Sequence, residues 1–414
     1  MLRIKWSSRT IYNILVALLI FSVWAYNETK YLTYPIKILY IFVLGYYAIS
    51  RRRTGAKYQA WCLLMILISV IAMLVAPSIG AASYTFINML QVLLIGFVTY
   101  GYLDEEDKID FVLNALIWGG LILAFRLILV TPANVWLSWQ RLGEAIGSNS
   151  NDVGNKAAIS AIIALCMAKR NQRKKRIIYY TAFAILSAIV LFSGSRKALI
   201  AVVASIILLN TIGLRDKRKI IFAVVIVGAL LALGYHFLMT NEVLYATIGR
   251  RIETMIEVLF HGGSEKHSID LREQYIQVAL NLIKEQPFFG VGLGAFQYVS
   301  GFGVYSHCDY TEVACSYGII GAIIYYLPMV SMTYKYTVLR KKSDKDYMFL
   351  IMQYVLLITY ITMIMYTSAY IQVIIAVFVS HYHMSVKYRR QGEGVEERIR
   401  YHEMSYFPDY NLNK

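Results

Sequence analysis

The sequence predicts an all-α polytopic membrane protein of about 12 transmembrane helices, with both termini cytoplasmic and one long extracytoplasmic loop bearing amphipathic helices. Three observations predict it. Of 414 residues, 58% fall in the hydrophobic set and 16% are charged, a balance too apolar and too charge-poor for an ordinary soluble domain. The apolar residues gather into runs that approach the roughly 20 residues a transmembrane helix needs. Between them Lys and Arg cluster on alternate connections, RRR at 51–53, KRNQRKKR at 169–176, RDKRK at 215–219, RKK at 340–342 and KYRR at 387–390, which the positive-inside rule assigns to the cytoplasm.

The expected spans lie near 11–26, 34–50, 58–76, 84–102, 109–130, 153–169, 177–193, 197–214, 220–239, 318–334, 347–366 and 369–386. They divide the chain into nine helices over 1–239, an outer loop over 240–317, three helices over 318–386 and a tail over 387–414. The polar part of that tail, 391–414, is expected to lack regular structure. An even number of crossings returns the tail to the starting side, and charge agrees: the inside segments hold 29 of 41 Lys and Arg, the outside segments nine, and Lys37, Arg126 and Lys156 fall within spans. The net charge of +16 is therefore topological; it forms no basic face for nucleic acid. The first run follows Arg3, Lys5 and Arg9 like a signal peptide, with Val23-Trp24-Ala25 as a weak cleavage pattern. Because it leads straight into further spans, it is expected to be an uncleaved helix. Cys62, Cys166, Cys308 and Cys315 have neither zinc nor disulfide spacing, so plain thiols are expected.

The stretch VLFSGSRKALIAVV at 190–203 sets two cations in an apolar run. One helix between the clusters ending at Arg176 and starting at Arg215 would be about 57 Å long against a hydrocarbon core of about 30 Å. The chain must cross twice and turn at SGSRK, which puts Arg196 and Lys197 at the outer edge against the local charge bias. Such a cation either snorkels or binds an anion. Arg196 is the stronger candidate ligand, since its guanidinium can hold phosphate oxygens in a bidentate way, while Lys197 suits an interfacial anchor.

The long outer loop supplies partners. Leu244, Ile248, Ile252, Met255 and Leu259 recur at helical spacing. A second helix is expected from Asp270 to Glu285, its Asp-x-x-Glu cap placing Arg272 in the first turn and Tyr275 one turn on. In FFGVGLGAF, 288–296, the glycines imitate a nucleotide loop, but no strand precedes them, so a close-packed turn is expected. Ser306 and Asp309 fit a capping box that puts His307 at the first helical position, where the helix dipole favours a neutral, proton-accepting imidazole.

FSGSRKALIA at 192–201, LREQYIQVALNLIKEQPFFGVGLGAF at 271–296 and SHCDYTEVACSYGIIG at 306–321 resemble, in that order around a long outer loop, the O-antigen polymerase and O-antigen ligase superfamily of bacterial surface polysaccharide synthesis. The resemblance implies a metal-independent, inverting membrane C-type glycosyltransferase working on polyprenyl-diphosphate-linked sugars at the outer face of the cytoplasmic membrane, with no cofactor. It implies Arg196 and Arg272 at the lipid diphosphate and His307 as general base at the acceptor hydroxyl, with Tyr275, Pro287, Gly290 and Gly292 in support. Cys308 stands where the family often has Asn. Arg141 and Asn151 in QRLGEAIGSNSND resemble a weaker family feature of Arg followed by Asn, a further substrate-binding pair.

A diphosphate is already a good leaving group, so what remains is to neutralise its growing charge and deprotonate the incoming hydroxyl. The one Asp-x-Asp, Asp344-Lys345-Asp346, falls on the cytoplasmic side, away from such a substrate. A repeat-unit polymerase is preferred to a ligase because no second acceptor is identifiable. A transporter or flippase is the rival from another class, and would place charges and Gly or Pro breaks near mid-membrane. The implied partners are lipid-linked oligosaccharides, the bilayer, and a chain-length regulator and flippase of the same pathway.

Overall fold

The computed structural model describes residues 8–52, 56–136, 142–211, 217–250, 252–253, 256–257, 266–339, 342–361 and 363–405, and these form helices with no strand. The principal helices are α1 (Ser8–Ala25), α2 (Lys30–Ser50), α3 (Lys57–Leu74), α4 (Ile79–Tyr102), α5 (Glu106–Val130), α6 (Ser150–Arg170), α7 (Arg173–Ser193), α8 (Arg196–Thr211), α9 (Lys217–Thr240), α10 (Lys266–Glu285), α11 (Asp309–Val338), α12 (Asp344–Tyr360) and α13 (Ala369–Ser405). All but α10 overlap an expected span. Seven of them, α2 to α5, α7, α11 and the Ala369–Lys387 part of α13, are long and apolar enough to cross a membrane, where the sequence reading expects 12. This is a helical membrane protein.

The helix at the centre is outside those seven. α6 is buried on every side from Val153 to Ala168 and packs against α5, α7, α8 and α12. Its Gly, Ala and Ser residues allow close backbone approach, which is what a helix surrounded by protein needs in place of lipid-facing bulk. A Cβ on Gly154 would meet Ser193 Oγ and Ser195 Cβ at 2.6 Å, so the small residues of SGSRK are those on which α6 rests. α7 closes there with Gly194 at φ 65°, and α8 starts two residues later. The turn expected between the cations is present.

Two ends can be told apart. At the basic end, where α2 finishes and α5 and α12 begin, Lys345 pairs with Glu106 at 2.5 Å and Asp110 at 2.9 Å. Asp346 caps α12 through Ser343 and contacts His381 at 3.2 Å. The Asp-x-Asp carboxylate at 346 is thus engaged in a helix cap. At the opposite, loop end, α10 packs on α11 around Ala279, Val291, Phe296 and Cys315.

The glycine run is the close-packed turn expected. Val291 N–H donates to Cys315 O at 2.8 Å, and Leu293 N–H to Ala72 O at 2.9 Å. Gly290 has φ 70°, and a Cβ on it would lie 2.2 Å from Cys315 O. Across the contact Gly318, φ 71° and ψ 177°, breaks α11 into a short piece at the loop end and a long one.

Several boundaries differ from expectation. α10 starts at Lys266, so Asp270 lies inside the helix and is no cap. α11 starts at Asp309 with Cys308 at the cap position, so His307 precedes the helix, at φ 60°. The Ser306 N–H that would have closed the capping box with Asp309 is taken by Glu312 Oε2 at 2.8 Å. Asp309 turns instead to the 361–368 link, accepting from Met365 and Tyr366 N–H at 2.6 and 2.9 Å and from the Tyr326 hydroxyl at 2.7 Å. The expected span over 347–366 consequently ends at Tyr360. α13 runs on to Ser405 through much of the segment expected to be irregular, which is rich in helix-favouring Glu and Arg. Glu242–Leu244 and Tyr245–Gly249 are short helical turns, whereas Met255 and Leu259 of the expected amphipathic helix lie outside the described residues. The four cysteines are buried free thiols.

Gly290→Ala is expected to lower stability by about 1–3 kcal/mol or more, seen as a lower melting temperature in detergent, since it adds a clash to a left-handed backbone. Gly301→Ala, at φ 75° with nothing within 4 Å of its Cβ, is expected to show only the smaller backbone cost.

Candidate functional site

A cavity of about 590 Å³ opens at the loop end, where α6 and α8 begin, beside the 361–368 link and the 305–307 segment. Its wall brings Lys197 of α8, Arg272 of α10 and His307 together with Tyr305. The stretch leading into α6 adds Glu144, Ser148, Asn149, Ser150, Asn151 and Asp152, and the link adds Met363 and Ile364.

His307 is held from both chain neighbours. Ser306 is fixed by Glu312, and its hydroxyl donates to Cys308 O at 3.0 Å while accepting from Thr311 Oγ1 at 3.0 Å. Between these anchors His307 takes a left-handed backbone, uncommon for any residue but glycine and the kind of strain that collects at functional sites. Its ring lies between two tyrosines, stacked on Tyr275 at 5.5 Å between centroids and 16°, and tilted against Tyr305 at 4.5 Å. Tyr275 is in turn braced edge-on by Phe302 at 4.6 Å. Arg272 and Tyr275, three residues apart on α10, share a helical face that continues into buried Ala279.

Burial pushes the His307 imidazole down to about 4 from its ordinary 6.5, and the Arg272 and then the Lys197 charge add to the effect. The neutral histidine expected from a helix dipole is therefore present for other reasons: partial desolvation and two cations. A group held this way is largely unprotonated at neutral pH.

The entry to α6 is built by its cap. Asn149 Oδ1 accepts from Asn151 N–H at 2.8 Å, and Ser148 Oγ donates to Asp152 Oδ2 at 3.4 Å. Asp152 pairs at 2.6 Å with Lys156, which is 2% exposed. One carboxylate on the wall thus has a buried counter-ion behind it, and Glu144 is the other. Among the described residues no three His, Cys, Asp or Glu side chains converge to hold a metal.

Of the residues singled out in the sequence, Arg272, His307 and Asn151 line the cavity and Tyr275 stacks on His307. Of the two cations in SGSRK, the wall takes Lys197; Arg196, one residue earlier on α8, acts on it electrostatically, as does Arg272. Arg141 lies outside the described residues. Arg126 reaches the last turn of α1, donating to Ala25 O with its guanidinium over the Tyr26 ring at 4.5 Å.

The sequence reading missed Glu144, Asp152, Tyr305, Met363 and Ile364. Tyr305 was within reach of it, two residues before His307, and the polar run SNSND at 148–152 marks the cap of α6. Nothing in the apolar stretch around Met363 announces that its helix has ended.

Fold and site together define a helical membrane protein with a loop-end cavity whose wall combines cations, an imidazole and carboxylates. Residues 181–326 match the family model described as O-antigen ligase. The matched segment contains the SGSRK turn, α10, the glycine turn and His307, so it takes in the stretches that resemble the O-antigen polymerase and ligase superfamily. No curated protein matches the chain.

Diethyl pyrocarbonate acylates an imidazole only in its neutral form. Peptide mapping of modified His307 across pH is expected to give a midpoint near 4, well below the ordinary 6.5. Arg272→Gln is expected to move it upward, because removing a neighbouring cation favours the protonated form.

Proposed function

We propose that the chain is a polymerase of polyprenyl-diphosphate-linked oligosaccharide repeat units, acting by metal-independent, inverting glycosyl transfer at the outer face of a bacterial cytoplasmic membrane. In this reading the twelve helices other than α10 cross the bilayer, and the loop end faces outward. The observation that carries it is the meeting of Lys197, Arg272 and His307 on one cavity wall.

The residues divide the work. Arg272 and Lys197, reinforced by Arg196, hold the diphosphate of the donor chain and take up the charge that grows on it as the bond from anomeric carbon to phosphate oxygen breaks. The acceptor is the non-reducing-end hydroxyl of a second lipid-linked repeat. Its oxygen attacks the opposite face of the anomeric carbon while its proton passes to His307. A base with a pKa near 4 is weak at neutral pH. The incoming diphosphate corrects this: its negative charge offsets the cations that hold His307 down, so the imidazole becomes a better proton acceptor once the donor is bound.

The description of the matched family favours a second reading, in which the finished chain passes to a lipid, protein or wall acceptor. Gel analysis of the glycan from a deletion strain separates the two: loss of a polymerase leaves single repeats, and loss of a ligase leaves unattached long chains.

Purified protein mixed with a synthetic polyprenyl-diphosphate repeat is expected to give ladder products with EDTA present. His307→Ala and Arg272→Ala are each expected to slow the ladder by about 100-fold or more. Normal rates in both variants would remove these roles. Inorganic diphosphate is expected to raise the diethyl pyrocarbonate midpoint of His307.

A further inference from the structure

A second cavity, about 500 Å³, lies at the basic end. α4 connects the two regions: it starts near the glycine turn, where Gly294 meets Thr85, and finishes at the wall of this cavity with Tyr100, which Leu103 and Asp104 just past its end join. Twenty-four helical residues amount to about 36 Å, so the cavity is remote from His307.

Its wall is strongly basic. Arg51 and Arg52 follow the last turn of α2, and Lys387 comes from α13. Asp104 also faces the cavity, but its carboxylate is bound by buried Lys108 and accepts from the Tyr47 hydroxyl at 3.0 Å. Its charge is compensated from behind, and the excess at the wall is positive. His383 shares a hydrogen bond with the Tyr100 hydroxyl at 2.9 Å, which leaves its Nε2 for a ligand. Arg52 holds φ 51°, an uncommon conformation for a long side chain, at the turn that carries the arginine pair.

Ser380 provides the independent sign of a ligand. It lines the same cavity, is 2% exposed, and its Oγ has no hydrogen-bond partner. A buried hydroxyl without a partner is costly, and an acceptor oxygen inside the cavity would satisfy it.

We propose that this cavity binds the phosphate headgroup of an anionic phospholipid. Paired guanidinium groups match phosphate oxygens in a bidentate way, and basic pockets between helices on the cytoplasmic side recognise such headgroups. The approach to the cavity favours a lipid over free phosphate: Phe42, Tyr46 and Ile49, each at least 69% exposed, form an apolar face along α2 that leads up to Arg51 and Arg52. Acyl chains would lie on that face while the headgroup occupies the cavity. Only the choice of leaflet depends on the topology proposed above.

The test uses full-length protein in nanodiscs of mixed phosphatidylglycerol and phosphatidylcholine, with native mass spectrometry reading the lipid retained. Wild type is expected to keep phosphatidylglycerol in preference. R51Q/R52Q is expected to weaken retention about 30-fold, from the loss of two cations near the surface. Ser380→Ala, which leaves every charge in place, is expected to weaken it several-fold, with both variants melting like wild type in phosphatidylcholine alone. Wild-type retention by either variant overturns the proposal. Millimolar inorganic phosphate that displaces phosphatidylglycerol and binds in its place overturns the lipid assignment.

Discussion

The loop end depends on one buried carboxylate. Asp309, fully buried at the first residue of α11, accepts hydrogen bonds from Met365 N–H, Tyr366 N–H and the Tyr326 hydroxyl. Burying a carboxylate is expensive unless its oxygens are satisfied. Here two of the three donors are the backbone of a link that has left its helix, so the carboxylate and the break require one another. The position at a helix N-terminus adds favourable dipole charge. Because Asp309 fixes the link, Met363 and Ile364 can form a cavity wall; because it anchors the start of α11, the residues just before it, Cys308 and His307, have a defined place.

Glu312 completes that arrangement from the next turn. By taking the Ser306 N–H it fixes the residue on the other side of His307, and the histidine is left as a short bridge between two immobilised neighbours. Its left-handed backbone is the cost of spanning them. The glycine turn sets the platform: Val291 and Leu293 bind backbone of α11 and α3 at contact distances that leave no room for side chains. This holds α10 against α11, and with it Arg272 and Tyr275 beside His307.

Much of this was legible in the sequence, and the exceptions share a cause. Apolar runs located every principal helix but α10, which the capping pattern in the loop pointed to with a start four residues late, and the spacing of the flanking basic clusters located the turn between α7 and α8. Composition does not separate a helix facing lipid from one facing protein, however. α6, the most enclosed helix, carries Asp152 and Lys156 because they pair with each other in its first turns. Tertiary contacts were the second blind spot. Ser306 and Asp309 fit a capping box by local spacing, and only the distant Met365 and Tyr366 amides decide that Asp309 faces away. The same limit applies to SGSRK, where the sequence favoured Arg196 for its guanidinium chemistry and the geometry of α8 gives the wall to Lys197.

The distribution of charge around the cavity follows from these placements. Cations reach it from α8 and α10, while carboxylates and amides come from the chain entering α6. For the proposed substrates, a donor diphosphate and a sugar hydroxyl, the two sources would suit different groups, cations for phosphate oxygens and carboxylates or amides for hydroxyls. His307 lies with the cations, whose charges add to burial in holding it unprotonated and would, in the proposed reaction, repel its proton after transfer. A base in that position works only while an anion is beside it. In the reaction proposed for this cavity the electrostatics would therefore couple proton acceptance to occupancy of the phosphate site, and an acceptor bound without a donor would meet an imidazole too weakly basic to activate it.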